Sequence, residues 1–280
     1  MAVKIAIFFL VQLCFWSSSH AHTEIILDRY REYLFRTYEL NTEEIDQWTG
    51  SFDYTSQKWP DINYPAAEHG NWQLLRHLRR TRSLSLAWAK PDSPYYHSEE
   101  VWKNIDAALD HWLEKRYMNP NWWHNQIGVP QIMRDIIIAL GDKLTGQQLK
   151  EALEVMAQLY VNEEATGANL IWPADLGLHY GALTGNEGLV EHTRNLIIEE
   201  IKITTGEGIQ PDYSFHQHGP RLQMYQYGKA YLWESVRIAW ELRGTPWAFP
   251  DEKVNILTEF ALNGWQWMAR GVDTVPGTMD

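Results

Sequence analysis

The stretch Thr145–Val161, "TGQQLKEALEVMAQLYV", decides the fold class. Thr145 followed three residues later by Gln148 is a capping box, in which each side chain satisfies a backbone N–H at a helix start. Leu149, Leu153, Met156 and the Leu159/Tyr160 pair then recur at the period of an amphipathic helix. The same grammar repeats on both sides. "SEEVWKNIDAALDHWLEKRY" (98–117) opens on Ser98 and carries acids in its first turn, where the helix dipole favours them. "DEKVNILTEFALNGWQWMA" (251–269) follows Pro250, has Asp251 as an acidic cap, and sets Ile256, Leu257, Phe260 and Trp265 on one face.

Comparable patterns occupy about 24–39, 70–89, 126–141, 186–203 and 221–243, punctuated by Pro91, Pro94, Gly141, Gly167, Gly206 and Pro211. Strand signals are almost absent, and no linker or change of composition divides the chain. Successive amphipathic helices on short loops predict an all-α protein of paired antiparallel helices, either a solenoid or an α/α toroid.

The 280 residues are enough for one large domain or two small ones. The first 21 read as an export signal: Lys4 is the positive start, Ile5–Trp16 the apolar run, and Ser19-His20-Ala21 the small-x-small cleavage site. The single cysteine, Cys14, lies inside that run, so the mature chain is expected to contain none. An exported protein without disulfides fits a secreted or periplasmic enzyme better than a small stapled domain. The formal net charge of -12 argues against nucleic acid and anionic membranes as partners. An acidic ligand would therefore have to be met by local groups, with Arg134, Arg221 and Arg270 as candidates.

Three polar clusters stand out. "NPNWWHNQIGVP" places Trp122 and Trp123 in a loop, with Asn121, His124 and Asn125 beside them. Indole faces stack on sugars and the amides can bond hydroxyls, although a Trp pair can equally plug the end of a helix pair. The protein has fifteen tryptophans, more than packing alone asks for. "TGANLIWPADLGLHYGAL" offers Asn169 after the flexible Gly167, as a donor to an anionic oxygen or simply as a turn residue. His179 in the same stretch reads as a structural histidine. "QPDYSFHQHGPRLQMYQYGKAYL" (210–232) gathers His216, His218, Tyr225 and Tyr227 around a Gly-Pro break. Two histidines with no carboxylate or thiolate at ligand spacing do not make a metal site.

Taken in order, "NWWHNQIGVPQ", "TGAN…LHYGALTGNE" and "EGIQPDYSFHQHGPRLQMYQYG" make the chain resemble the N-terminal helical domain of polysaccharide lyase family 8, most closely its chondroitin AC lyases. The resemblance implies an α/α toroid over residues 22–280, read as incomplete at its C-terminal end and without the β-sheet domains that follow in the family. It implies β-elimination on a uronic-acid polysaccharide such as chondroitin or hyaluronan, with xanthan as an alternative. It implies Asn169, His218 and Tyr227 as the catalytic residues, and Asn121, Trp122, Trp123 and Arg270 as substrate contacts. No cofactor and no metal are expected, and the chain is expected to act as a monomer on an acidic polysaccharide.

The chemistry accounts for those residue types. Removing the C5 proton beside an ionised carboxylate would build a second negative charge on the sugar. Hydrogen bonds from Asn169 and His218 to the carboxylate would favour the enolate-like state, each such donor contributing about 3–4 kcal/mol. Tyr227 would take the proton and return it to the departing O4. A tyrosine ordinarily titrates near about 10, so it acts as a base only beside donors that favour the phenolate. Two other classes stay open: a glycan-binding module that keeps the Trp platform, and a hydrolase using paired carboxylates, with Asp175 and Asp212 the nearest candidates.

Overall fold

The computed structural model describes residues 22–270 and 273–274, so the export signal read in residues 1–21 lies outside the described residues. Helix accounts for 64 % of it, which bears out the all-α expectation. The helices are α1 (22–37), α2 (Thr42–Ser51), α3 (Leu75–Ala89), α4 (Glu99–Lys115), α5 (Val129–Leu140), α6 (Gly146–Met156), α7 (Ala168–Thr184), α8 (Glu187–Glu200), α9 (Lys229–Leu242), α10 (Asp251–Glu259) and α11 (Gln266–Met268). Two antiparallel ladders of two residues a side join β1 (Gly208–Ile209) to β2 (Phe215–His216), and β3 (Ala269–Arg270) to β4 (Asp273–Thr274). The described residues divide into two compact units, one of residues 28–160 and one made of residues 22–27 with 161–270 and 273–274. Both are helical, and no Pro-, Gly- or Ser-rich linker marks the division near residue 160.

In the unit of residues 28–160, α3 packs on α4 and α5, and α6 on both of those. Every residue of α5 except Gln131 is buried, so its one acid needs several partners. Asp135 accepts from the Tyr30 hydroxyl (2.7 Å), Arg82 Nε (2.6 Å) and Arg134 Nε (3.2 Å). Burial works against its charge, but Arg134 and Arg82 outweigh it and hold the carboxyl below the usual range. Arg134, a candidate for a polyanion cleft, is thus spent inside the core, with its guanidinium 4.3 Å from the Tyr30 ring.

A second polar chain stitches α3 to α4. The Tyr64 hydroxyl meets His77 Nδ1 at 2.8 Å, and His77 Nε2 donates to the Ala108 carbonyl at 2.8 Å. Burial pulls the His77 pKa down to about 3, so this ring is neutral and bridges as donor and acceptor.

The capping box of α6 forms with both of its bonds. The buried face, however, is Gln148, Ala152, Val155 and Met156; Leu149 and Leu153 are half-buried and Tyr160 is exposed. Gln148 shifts the face because its Nε2 also donates to Asp106 (2.8 Å) and Asp110 (2.9 Å) of α4. At α10, Pro250 occupies the cap position with no side-chain bond, and Asp251 lies in the first turn rather than capping it.

In the other unit, α7 and α8 form a helical hairpin turned by Gly185 and Asn186. Gly177 and Gly181 let the two helices approach: a Cβ at Gly177 would meet Thr193 Cγ2 at 2.7 Å, and one at Gly181 the Asn186 carbonyl at 2.9 Å. α9 packs on α7, and α10 on α9. Ile171, Ala174 and Leu178 of α7 join Val190 and Ile197 of α8, Tyr231 and Ile238 of α9, and Phe260 in one apolar core. Each fully buried branched side chain of this kind contributes about 1.5–3 kcal/mol. No helix among the described residues is long and apolar enough to cross a membrane.

Candidate active site

The residues that converge lie in the second unit. Gln217 N donates to the Arg221 carbonyl and His216 bridges Leu222, so residues 217–221 form the tip of a tight hairpin. His218 sits at that tip with φ +60, a left-handed conformation, and Gly219 follows at φ +79. A side chain held there away from its preferred backbone region is a feature of functional turns. The next segment, Met224–Gly228, is a single π turn that leads into α9. Such widened turns turn a side chain out of the regular helical path, and this one carries Tyr227.

The Tyr227 hydroxyl and His218 Nε2 are 2.9 Å apart, and the two rings meet edge-on at 4.9 Å. With Nε2 unprotonated the phenol donates; with Nε2–H the ring donates to a phenolate. The pair can therefore hold a proton in either place. Across from it, the Trp172 ring of α7 lies 5.8 Å from the Tyr227 ring. Asn169 is three residues earlier and so on the same side of α7. It is half-buried, the second residue of α7, and its amide has no hydrogen-bond partner among the described residues. Pro173 lacks an N–H, which removes the usual helical donor to the Asn169 carbonyl.

The start of α7 is unusual. Gly167 adopts φ +59, ψ -139, and a Cβ there would fall on Gln217 Oε1. Glu200 Oε1 accepts from Gly167 N at 2.6 Å, and Gln217 Oε1 from Ala168 N at 3.1 Å, so two side chains serve N–H groups that a helix start leaves open. Burial pushes the Glu200 carboxyl up. Glu207 accepts from Gly219 N (2.7 Å), the Thr166 hydroxyl (2.7 Å) and Gln217 Nε2. Burial opposes its charge, but the Gly219 N–H, the Thr166 hydroxyl and the nearby His218 hold its carboxyl below the usual range. Sequence reading missed Glu207, Gln217 and Trp172. Glu207 and Gln217 stand inside the motif that carried the resemblance, which was the available signal.

The Trp segment belongs to the unit of residues 28–160. Trp122 is 54 % exposed, whereas Trp123 is half-buried, with its ring over Gly128. The amides beside the indoles bond backbone groups. Asn121 Oδ1 accepts from Trp123 N (3.0 Å) and its Nδ2 donates to the His69 carbonyl (2.7 Å). Asn125 bonds the backbone of Asn119 at both ends, and His124 is buried against the His69 and Gly70 carbonyls. Short polar side chains in a loop complete its own hydrogen bonds first. The Arg270 backbone pairs with Asp273, and its side chain lies outside the described part of the chain. Arg221 is exposed on the His218 hairpin.

The carboxylates weighed for hydrolysis do other work. Asp212 is exposed and caps its own turn through Ser214 N and Oγ, at 3.0 and 2.8 Å. Asp175 is 1 % exposed, within a network of His179, Arg237 and Glu241. Asp175, His179 and Glu241 bring ligand atoms within 4.8 Å of one another. The Arg237 guanidinium already bridges the two carboxylates, at 2.7 and 2.6 Å, so the cluster is supplied with a cation by the chain itself.

Residues 24–271 match the N-terminal α-helical domain of polysaccharide lyase family 8. The chondroitinase-AC of Pedobacter heparinus is 30 % identical over 219 residues, 76 % of this chain and 31 % of that protein. The xanthan lyase of Bacillus sp. is 25 % identical over 230 residues, 75 % of this chain and 24 % of that protein. A chondroitinase AC lyase solved as enzyme–oligosaccharide complexes superposes with a TM-score of 0.81 at 26 % identity, over 90 % of this chain and 38 % of that one. The chain spans about a third or less of the length of these curated relatives.

Proposed function

The chain belongs to polysaccharide lyase family 8, and we propose that it cleaves uronic-acid glycosaminoglycans, chondroitin or hyaluronan, by β-elimination. The observation that carries this reading is the 2.9 Å approach of His218 Nε2 to the Tyr227 hydroxyl, beside the helix whose first turn carries Asn169. In this reading Asn169 and His218 donate to the uronate carboxylate, which favours the charge that develops when C5 loses its proton. Tyr227 accepts that proton. The C4–O4 bond breaks as the C4–C5 double bond forms, and Tyr227 returns the proton to the departing oxygen. No step calls for a cofactor.

Two further observations support the substrate class. Trp122 offers an exposed indole face of the kind that stacks on sugar rings. The relative from Pedobacter heparinus, 30 % identical, is a chondroitinase by name. Residues 1–21 as an export signal fit the same reading, because a long polysaccharide is degraded outside the cell.

Chondroitin, hyaluronan and xanthan offered separately would distinguish the substrates. Elimination produces a conjugated unsaturated uronate that absorbs in the ultraviolet, and hydrolysis does not. A rise with chondroitin or hyaluronan supports the proposal. Reducing ends without the absorbance rise would contradict it.

A further inference from the structure

One side chain joins the two halves of the candidate site. Glu207 stands in the turn before β1, apart in sequence from Asn169, His218 and Tyr227. Its Oε1 accepts from the N–H of Gly219, the residue after His218. Its Oε2 accepts from Gln217 Nε2, on the residue before His218, and from the hydroxyl of Thr166, three residues before Asn169. Gln217 doubles the link: its Oε1 takes the Ala168 N–H at 3.1 Å and its Nε2 reaches the Thr166 carbonyl at 3.2 Å. Gln217 is 1 % exposed and its bond to the Ala168 N–H is buried, where a hydrogen bond is strongest and hardest to replace, while the Glu207–Gly219 bond is exposed.

We propose that Glu207, acting through Gln217, is the positioning residue that fixes His218 relative to Asn169. This assignment rests on the lyase reading for its kinetic consequence but not for its structural one. His218 holds a left-handed backbone conformation in the hairpin tip, and keeping its ring in one place there calls for a restraint on the tip. Bonds from Glu207 on both sides of it supply the restraint. The link also requires glycine at position 167, because any side chain there would displace the Gln217 oxygen. Glu207 itself touches no reacting atom. It places two groups that must meet one carboxylate together, and a misplacement of about 1 Å between such groups can cost about 100-fold in rate.

The test uses the full chain with Glu207→Ala and Glu207→Gln, chondroitin as substrate, and the imidazole 15N resonances of His218, identified by their loss in His218→Gln. The expected result for Glu207→Ala is a kcat lower by about 100-fold, KM changed by no more than about threefold, and displaced His218 resonances. Glu207→Gln keeps one oxygen for the Gly219 N–H but opposes an amide to the Gln217 amide, and should fall between. Unchanged His218 resonances and kcat in Glu207→Ala would overturn the proposal. So would a variant that loses thermal stability alone. If the parent chain makes no unsaturated product, that counts against the lyase reading, while the resonances still decide the role of Glu207.

Discussion

Arg237 of α9 reaches Asp175 of α7 across 2.7 Å in a setting where both side chains are at most 3 % exposed. The same guanidinium bonds Glu241 at 2.6 Å and Glu234 at 2.5 Å, and His179 stands between the two buried acids. α7 carries Asn169 at its start, and α9 follows directly on the turn that carries Tyr227. The pair therefore ties together the helices on which the candidate site is built.

Removing one partner from this network leaves a buried charge uncompensated. Arg237→Met should lower the unfolding free energy by about 3–5 kcal/mol, read from urea denaturation at neutral pH. A loss below about 1 kcal/mol would mean that the network is far wetter than the geometry states.

His179 gives the network a pH dependence. Burial opposes its charge, but Asp175 and Glu241 outweigh burial and raise its pKa. A raised folded-state value means that its contribution is complete below the unfolded value of about 6.5 and is lost as pH rises through the folded one. Stability in urea should therefore decline on the alkaline side of neutrality, and His179→Gln should flatten that decline. The opposite slope, with stability rising with pH, would contradict the charged assignment.

Gly167→Ala tests the start of α7. The backbone there is one that side chains rarely adopt, and the new Cβ would land on Gln217. A cost of about 1–3 kcal/mol is expected, together with loss of any lyase activity. Gly146→Ala at the start of α6, where a Cβ meets nothing within 4 Å, is the control and should cost little.

The Trp loop separates binding from folding. Trp122→Ala removes an exposed ring and should change stability by less than about 0.5 kcal/mol. It should nevertheless weaken chondroitin binding, measured by calorimetry. Asn121→Ala breaks two backbone bonds and should lower stability by about 1 kcal/mol for each. If Trp122→Ala destabilised the fold and left binding intact, the platform reading would fail.

Helices with one wet face were legible from spacing alone, as Ser98–Lys115 and the Thr145/Gln148 box show. α7 was not, because it is buried on nearly every side and so carries no polar period, and because it contains Pro173 with two poor helix formers, Gly177 and Gly181. In the structure those glycines are what brings α8 close. α6 kept its boundaries but turned its face, since a buried glutamine bonded to two aspartates outranked two leucines. At the site, the residue types and order pointed to His218 and Tyr227. The bonds from Glu207 and Gln217 could not be read, because they join positions that spacing leaves unrelated. The backbone bonds of Asn121 were hidden for a local reason: an asparagine in a loop looks the same whether it faces a ligand or the backbone.

The most direct test of the account is the ultraviolet rise from unsaturated uronate, comparing the parent chain with Tyr227→Phe on chondroitin and hyaluronan. Tyr227→Phe keeps the ring against Trp172 and removes only the hydroxyl that meets His218. The parent is expected to produce the rise, and the variant to lose about 10²–10⁴ in kcat with substrate binding retained. A Tyr227→Phe protein that eliminates as fast as its parent would contradict that expectation.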